Sequence, residues 1–109
     1  MGEEYNDELV KTAKQIIMNA GDARVCVKEA MNAAKRFDFS IAEEKMSAAK
    51  HYITLAHKSQ TEIIQNEASG LKYHHSLLFT HAQDTLMTIM SEIQLSEQLI
   101  DILKIIEKK

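Results

Sequence analysis

The run from His81 to Thr88, His-Ala-Gln-Asp-Thr-Leu-Met-Thr, combines a ring nucleophile, a carboxylate and two hydroxyls. On an α-helix, positions three, four and seven apart share a face, so His81, Asp84, Thr85 and Thr88 make one polar strip between apolar stripes. Buried polar groups cost free energy unless partnered, so such a strip on an otherwise apolar helix needs a reason. Taken alone, a histidine here is more often a satisfied structural residue; the sharper alternative is a reactive imidazole presented in a cavity. A free imidazole titrates near pH 6.5 and is mostly neutral at pH 7, which leaves one ring nitrogen available as a nucleophile. The strip is expected mid-way along the longest helix of the chain.

The elements that would carry this strip are all helical. Among 109 residues there is no proline and there are three glycines, so strand-and-turn architectures lack their punctuation, and good helix formers dominate. The length suits a single domain over 1–109. A first helix is predicted from about Asp7 to Arg36, with Leu9, Ala13, Ile16, Ile17, Ala20, Val27, Ala30, Met31 and Ala34 as its core stripe. Gly21 within it marks a bend or a close approach of another backbone. After a break at Phe37-Asp38-Phe39, Ser40 and Glu43 fit a capping box opening the second helix. That helix carries Ala42, Met46, Ala49, Ile53, Ala56, Gln60 and Ile63 inward and stops at Ser69-Gly70, with Gly70 suited to a left-handed cap. His57 and Gln60, one turn apart, could line the cavity or simply make satisfied polar contacts. The third helix is predicted from near Tyr73 to about Glu107, roughly 50 Å at 1.5 Å per residue. His51, His74 and His75 read as surface or helix-leading residues, and Met31, Met46, Met87 and Met90 as adaptable core.

The third helix has two stripes where a three-helix hairpin needs one. Leu78, Ala82, Leu86, Ile89, Ile93, Ile100 and Leu103 form the first. The second runs Leu77, His81, Asp84, Thr88, Ser91, Leu95, Leu99, Ile102 and Ile106, apolar at both ends and polar between. On a lone subunit its C-terminal part would be a large exposed apolar patch, the mark of association. Parallel copies of this helix would cover it, in a number the spacing does not fix.

Charge and composition exclude other classes. A formal net charge of −3 gives no basic field for duplex nucleic acid. The lone Cys26 cannot form an internal disulfide and suits the core side of a helix in a reducing interior. No apolar run approaches the ~20 residues that span a bilayer, and the acidic start lacks a signal-peptide core, so a cytoplasmic location is expected. A carboxylate-bridged metal bundle would use Glu-x-x-His pairs from several helices, and Leu78, Phe79 and Thr80 precede His81 instead.

Three segments together carry a resemblance: Gly21–Arg24 (GDAR), Ala56–Gly70 (AHKSQTEIIQNEASG) and His81–Thr88. In this order and spacing they resemble the enzyme IIA components of the lactose/cellobiose type, from the bacterial phosphoenolpyruvate-dependent sugar phosphotransferase system. The resemblance implies a homotrimer of antiparallel three-helix subunits joined through the third helix. It makes His81 the phospho-acceptor, modified on its outer (tele) nitrogen by phospho-HPr. The phosphoryl group then passes to a cysteine of a IIB component, for a disaccharide of the cellobiose, chitobiose or lactose class carried by a membrane IIC component. The sugar itself would not be touched. Asp84 is implied to lie near the threefold axis, where three copies could hold Mg²⁺, a hard cation suited to carboxylate oxygen. Where the motif often has a second histidine, this chain has Thr85; with Thr88, its hydroxyl could support the phosphoryl group but carries no charge. The other ring nitrogen of His81 is expected to donate to a carbonyl or carboxylate. The alternative reading is a non-catalytic oligomeric helical adaptor.

Overall fold

A computed structural model describes residues 2–109, with side chains described from Asp7 onward. Three helices account for most of it: α1 over Gly2–Lys35, α2 over Phe39–Ala68 and α3 over Leu77–Glu107. They run up, down and up in an antiparallel bundle of 62 × 20 × 18 Å, the all-α class expected. No strand occurs among the described residues.

Small residues set how closely the first two helices approach. Ala13, Ala20, Ala23, Ala30, Ala33 and Ala34 of α1 are fully buried, as are Ala42, Ala49 and Ala56 of α2. Alanine faces let helix axes come together toward the short end of the usual 8–10 Å range. The volume beside them is filled by long side chains, with Ile16, Ile63, Leu86 and Ile89 the largest that are completely enclosed. Both predicted core stripes of α1 and α2 are inward-facing, and so is the first stripe of α3, with Phe79 and Ser96 joining it.

Ion pairs at the rim link every pair of helices. Arg24 of α1 grips Glu92 of α3 in a two-point contact, Nε to Oε1 at 3.1 Å and Nη2 to Oε2 at 2.7 Å. Lys45 reaches Glu29 at 2.9 Å, Lys50 reaches Glu97 at 2.7 Å, and Lys104 pairs with Glu43. Exposed pairs contribute little to stability, but opposite charges at fixed heights favour one register of helix against helix. Lys104 also lies 5.8 Å from the Phe39 ring centroid.

The ends of the helices correct several expectations. α1 ends in a six-to-one and five-to-two bonded turn: Asp38 N–H donates to Ala33 O at 3.0 Å and Phe37 N–H to Ala34 O at 2.9 Å. The left-handed position this motif needs is held by Phe37 at φ 60°, not by a glycine. The cap of α2 is Asp38, whose carboxylate accepts from Ile41 N–H at 3.4 Å. Ser40 already lies inside the helix, so no Ser40–Glu43 capping box forms. α2 closes as read: Leu71 N–H donates to Asn66 O, Gly70 N–H to Glu67 O, and Gly70 takes φ 104°. Residues 71–76 are irregular, and α3 begins at Leu77, four residues later than predicted, with Ser76 Oγ accepting from Phe79 N–H at 3.1 Å.

Gly21 is neither a break nor a close approach: α1 continues through it, and a Cβ there would meet nothing within 4 Å. Of the four methionines assigned to the core, Met87 is 56% exposed.

Candidate functional site

His81 sits in the second turn of α3, not half-way along it, and α3 with 31 residues is shorter than α1 with 34. A mid-way position does not follow even from the predicted start near Tyr73; the observed start at Leu77, after the cap Ser76, brings the ring nearer still to the N-terminus of the helix. The ring is exposed, not enclosed, in a shallow depression lined by Leu77, Leu78, Thr80, His81 and Asp84. All five belong to α3, which forms a single wall. Asp84 is exposed one turn beyond the histidine, and Thr88 one turn further is exposed as well. The strip predicted from spacing is therefore present and open to solvent.

Thr85 plays a different part from the one anticipated. Its hydroxyl donates to the His81 backbone carbonyl at 2.8 Å, so its proton is committed to the helix and its oxygen can only accept from elsewhere. The His81 ring finds no hydrogen-bond partner among the described residues, so none of them is the carbonyl or carboxylate expected to orient it. Asp84 likewise makes no hydrogen bond or ion pair with another described residue.

His57 and Gln60 do not join His81. Gln60 is buried at 8% exposure, facing the core. His57 opens into a separate groove between α2 and α3, with Ile53, Thr54, Lys58, Thr61 and Met90. Its backbone carbonyl accepts from the Thr61 hydroxyl at 2.9 Å. The segment from Ala56 to Gly70 acts through architecture instead. Ile63 fills the core, Asn66 Nδ2 donates to the Tyr73 hydroxyl at 2.8 Å, and Gly70 turns the chain. Together they deliver Ser76 and the start of α3 to one end of the rod. The Gly21–Arg24 segment serves similarly, through the Arg24–Glu92 clamp; Glu92 raises the hold of that guanidinium on its proton, chiefly by the hydrogen bond.

One residue near the histidine, Thr80, escaped the reading of the sequence as part of the site. Thr80 borders the His81 depression on one side and a small pocket containing His74, His75 and Gln83 on the other. The spacing of Thr80 to Asp84, one helical turn, was the available signal. Gln83, half-buried, faces that second pocket and not the strip.

The second stripe of α3 is uncovered along its length. Leu77 is 79% exposed, Leu95 65%, Leu99 49%, Ile102 50% and Ile106 54%. Among the described residues no three histidine, cysteine or carboxylate side chains converge within the chain. No helix is long and apolar enough to cross a membrane.

The fold and site together are an exposed histidine beside an exposed carboxylate on a three-helix bundle. Residues 11–104 match the family described as PTS system, lactose/cellobiose specific IIA subunit, and the chain belongs to that family. It is 39% identical over 97 residues to the lichenan-specific phosphotransferase enzyme IIA component of Bacillus subtilis, covering 89% of this chain and 88% of that one. To the lactose-specific EIIA component of Staphylococcus epidermidis it is 39% identical over 98 residues, 90% and 94% of the two chains. Its fold superposes on the crystal structure of the cellobiose-specific enzyme IIA of Bacillus anthracis with a TM-score of 0.87, 41% identity and 91% of each chain covered. The chitobiose IIA of Escherichia coli, solved in solution as a complex with HPr, matches with a TM-score of 0.80 and 32% identity over 91% of this chain and 96% of that one.

Proposed function

We propose that this chain is a phosphoryl carrier: His81 accepts a phosphoryl group from phospho-HPr and passes it to a cysteine of a IIB component, for uptake of a disaccharide of the cellobiose, chitobiose or lactose class. The observation that carries the reading is the exposed His81 ring on the second turn of α3, in a chain of the phosphotransferase IIA family. That a IIA relative has been solved in complex with HPr supports the choice of donor.

In the neutral ring, the Nε2 lone pair attacks phosphorus as the donor's bond to phosphorus breaks, and that bonding pair returns to the donor atom. The protein has little covalent work to do; positioning and charge stabilisation carry the rate. Helical side chains lean toward the N-terminus, so a phosphoryl group on His81 would lie beside the first turn of α3. There the N–H groups of Leu77 and Leu78 precede any acceptor of the helix, and the positive end of the helix dipole favours an anion. The absence of an orienting partner within one chain points to completion of the site by a neighbouring copy.

The uncovered stripe of α3 supports assembly as a homotrimer through parallel third helices. Each copy would bring one Asp84 carboxylate to the seam. The described residues of a single chain gather no ligand set, whereas three such carboxylates are a fitting oxygen donor set for Mg²⁺. The ion would neutralise their mutual repulsion, and the phosphoryl step would remain with His81. A cytoplasmic location follows from a role between HPr and a membrane component.

Incubation with phosphoenolpyruvate, enzyme I and HPr is expected to add one acid-labile phosphate per chain, and His81→Ala to take up none. Unreduced labelling of the alanine variant would overturn the assignment.

A further inference from the structure

The strip around His81 offers the phosphoryl group no positive side chain. Asp84 is the one charged residue on it, and it repels an anion. Position 85 holds a hydroxyl whose proton is committed to the His81 carbonyl at 2.8 Å. Within one chain, a side-chain cation for the loaded state would come from a neighbouring element.

Two candidates stand at the foot of the helix. His74 and His75, both exposed, precede the cap Ser76 and line a small pocket of about 180 Å³ with Glu67, Thr80 and Gln83. Thr80 is also a wall of the His81 depression, so the two hollows share one residue. The rise from Ser76 to His81 is about 7.5 Å at the helical pitch, and the His81 ring leans back along it. The axial offset between the cap and His81 is thus no more than about one screening length, and the two hollows meet at Thr80. The other charged groups at this end are Glu67 from α2, Lys72 in the linking segment, Asp7 and Glu8 beside Leu9 of α1, and Asp84 itself. Of the groups bordering the two hollows, the histidines are the ones that can gain positive charge near neutral pH.

We propose that His74 and His75 are positioning residues for the loaded state: they take up protons when His81 is phosphorylated and hold its dianionic group, in place of a cationic ring at position 85. The inference rests on His81 as phospho-acceptor. Loading then draws protons from solvent onto these imidazoles, and unloading releases them.

The test is a proton-detected NMR titration of the full-length protein, before and after phosphorylation through enzyme I and HPr, with phosphate incorporation verified by intact mass. The midpoint of at least one of the two rings is expected to rise by about half a pH unit on loading, as Coulomb attraction across this distance in water predicts. The exposed double variant His74→Gln/His75→Gln should still accept phosphate, with its exchange equilibrium against phospho-HPr moved about two- to five-fold toward the donor. Midpoints unchanged on a chain that carries phosphate at His81 would overturn this inference alone. A chain that takes up no phosphate at His81 would overturn the carrier reading and this inference with it.

Discussion

Thr85 shows how one backbone hydrogen bond decides what a side chain can do. Its hydroxyl donates to the His81 carbonyl, so it steadies the turn that carries the ring and has no proton left for a phosphoryl oxygen. Thr85→Val is therefore expected to keep the initial rate of HPr-dependent labelling within about three-fold of the parent, since a single neutral bond is worth roughly 1 kcal/mol. A loss of about a hundred-fold or more would show that the hydroxyl reaches the phosphoryl group. Cys26 is the other residue with a definite chemical expectation. It is half-buried, and burial first, then Glu29 and Asp22, push its thiol upward against the opposing pull of Lys45. A raised value means less thiolate at any given pH, so alkylation should require more alkaline solution than for a free cysteine. Fast modification below neutral pH would contradict this.

At the scale of the helix, the caps separate what could be read ahead from what could not. Asp38→Ala is expected to cost about 1 kcal/mol in urea unfolding, whereas Ser40→Ala should stay within about 0.5 kcal/mol. The reverse ranking would restore the capping box read from the sequence. Periodicity gave the three helices and nearly every inward-facing residue, because the 3.6-residue repeat of apolar positions is a strong long-range signal. Ends are local competitions. Phe37 accepts a left-handed conformation that a pattern search reserves for glycine, and this moves the cap from Ser40 back to Asp38. At α3, the irregular residues 71–76 displaced the start by four residues and leave His81 in the second turn. Spacing placed His81, Asp84 and Thr88 on one face, as found, but suggested a cavity where the face is open. The same spacing put Gln60 on the inward stripe of α2, as found, but it could not show that His57 faces a different groove, since that depends on which side of α2 meets α3.

The whole molecule is a rod with one face of α3 uncovered, polar near His81 and apolar toward Ile106. In the proposed trimer the apolar end holds the copies together, and the Asp84 carboxylates oppose one another at the other end. Asp84→Leu is thus expected to stabilise the assembly by about 1–4 kcal/mol in metal-free buffer, as replacement of buried charges by apolar contact does elsewhere. Thermal unfolding of both proteins checks this, and a lower melting temperature for the variant would remove Asp84 from the seam. Seen at this scale, the ring stands where a donor protein can reach it and where neighbouring copies could complete its surroundings. The most direct test of the carrier account is to map the phosphate after a single turnover with phospho-HPr, by fragmentation under conditions that preserve phosphohistidine. The account predicts phosphate on His81 and on none of the other four histidines; phosphate on another histidine, with His81 unmodified, would contradict it.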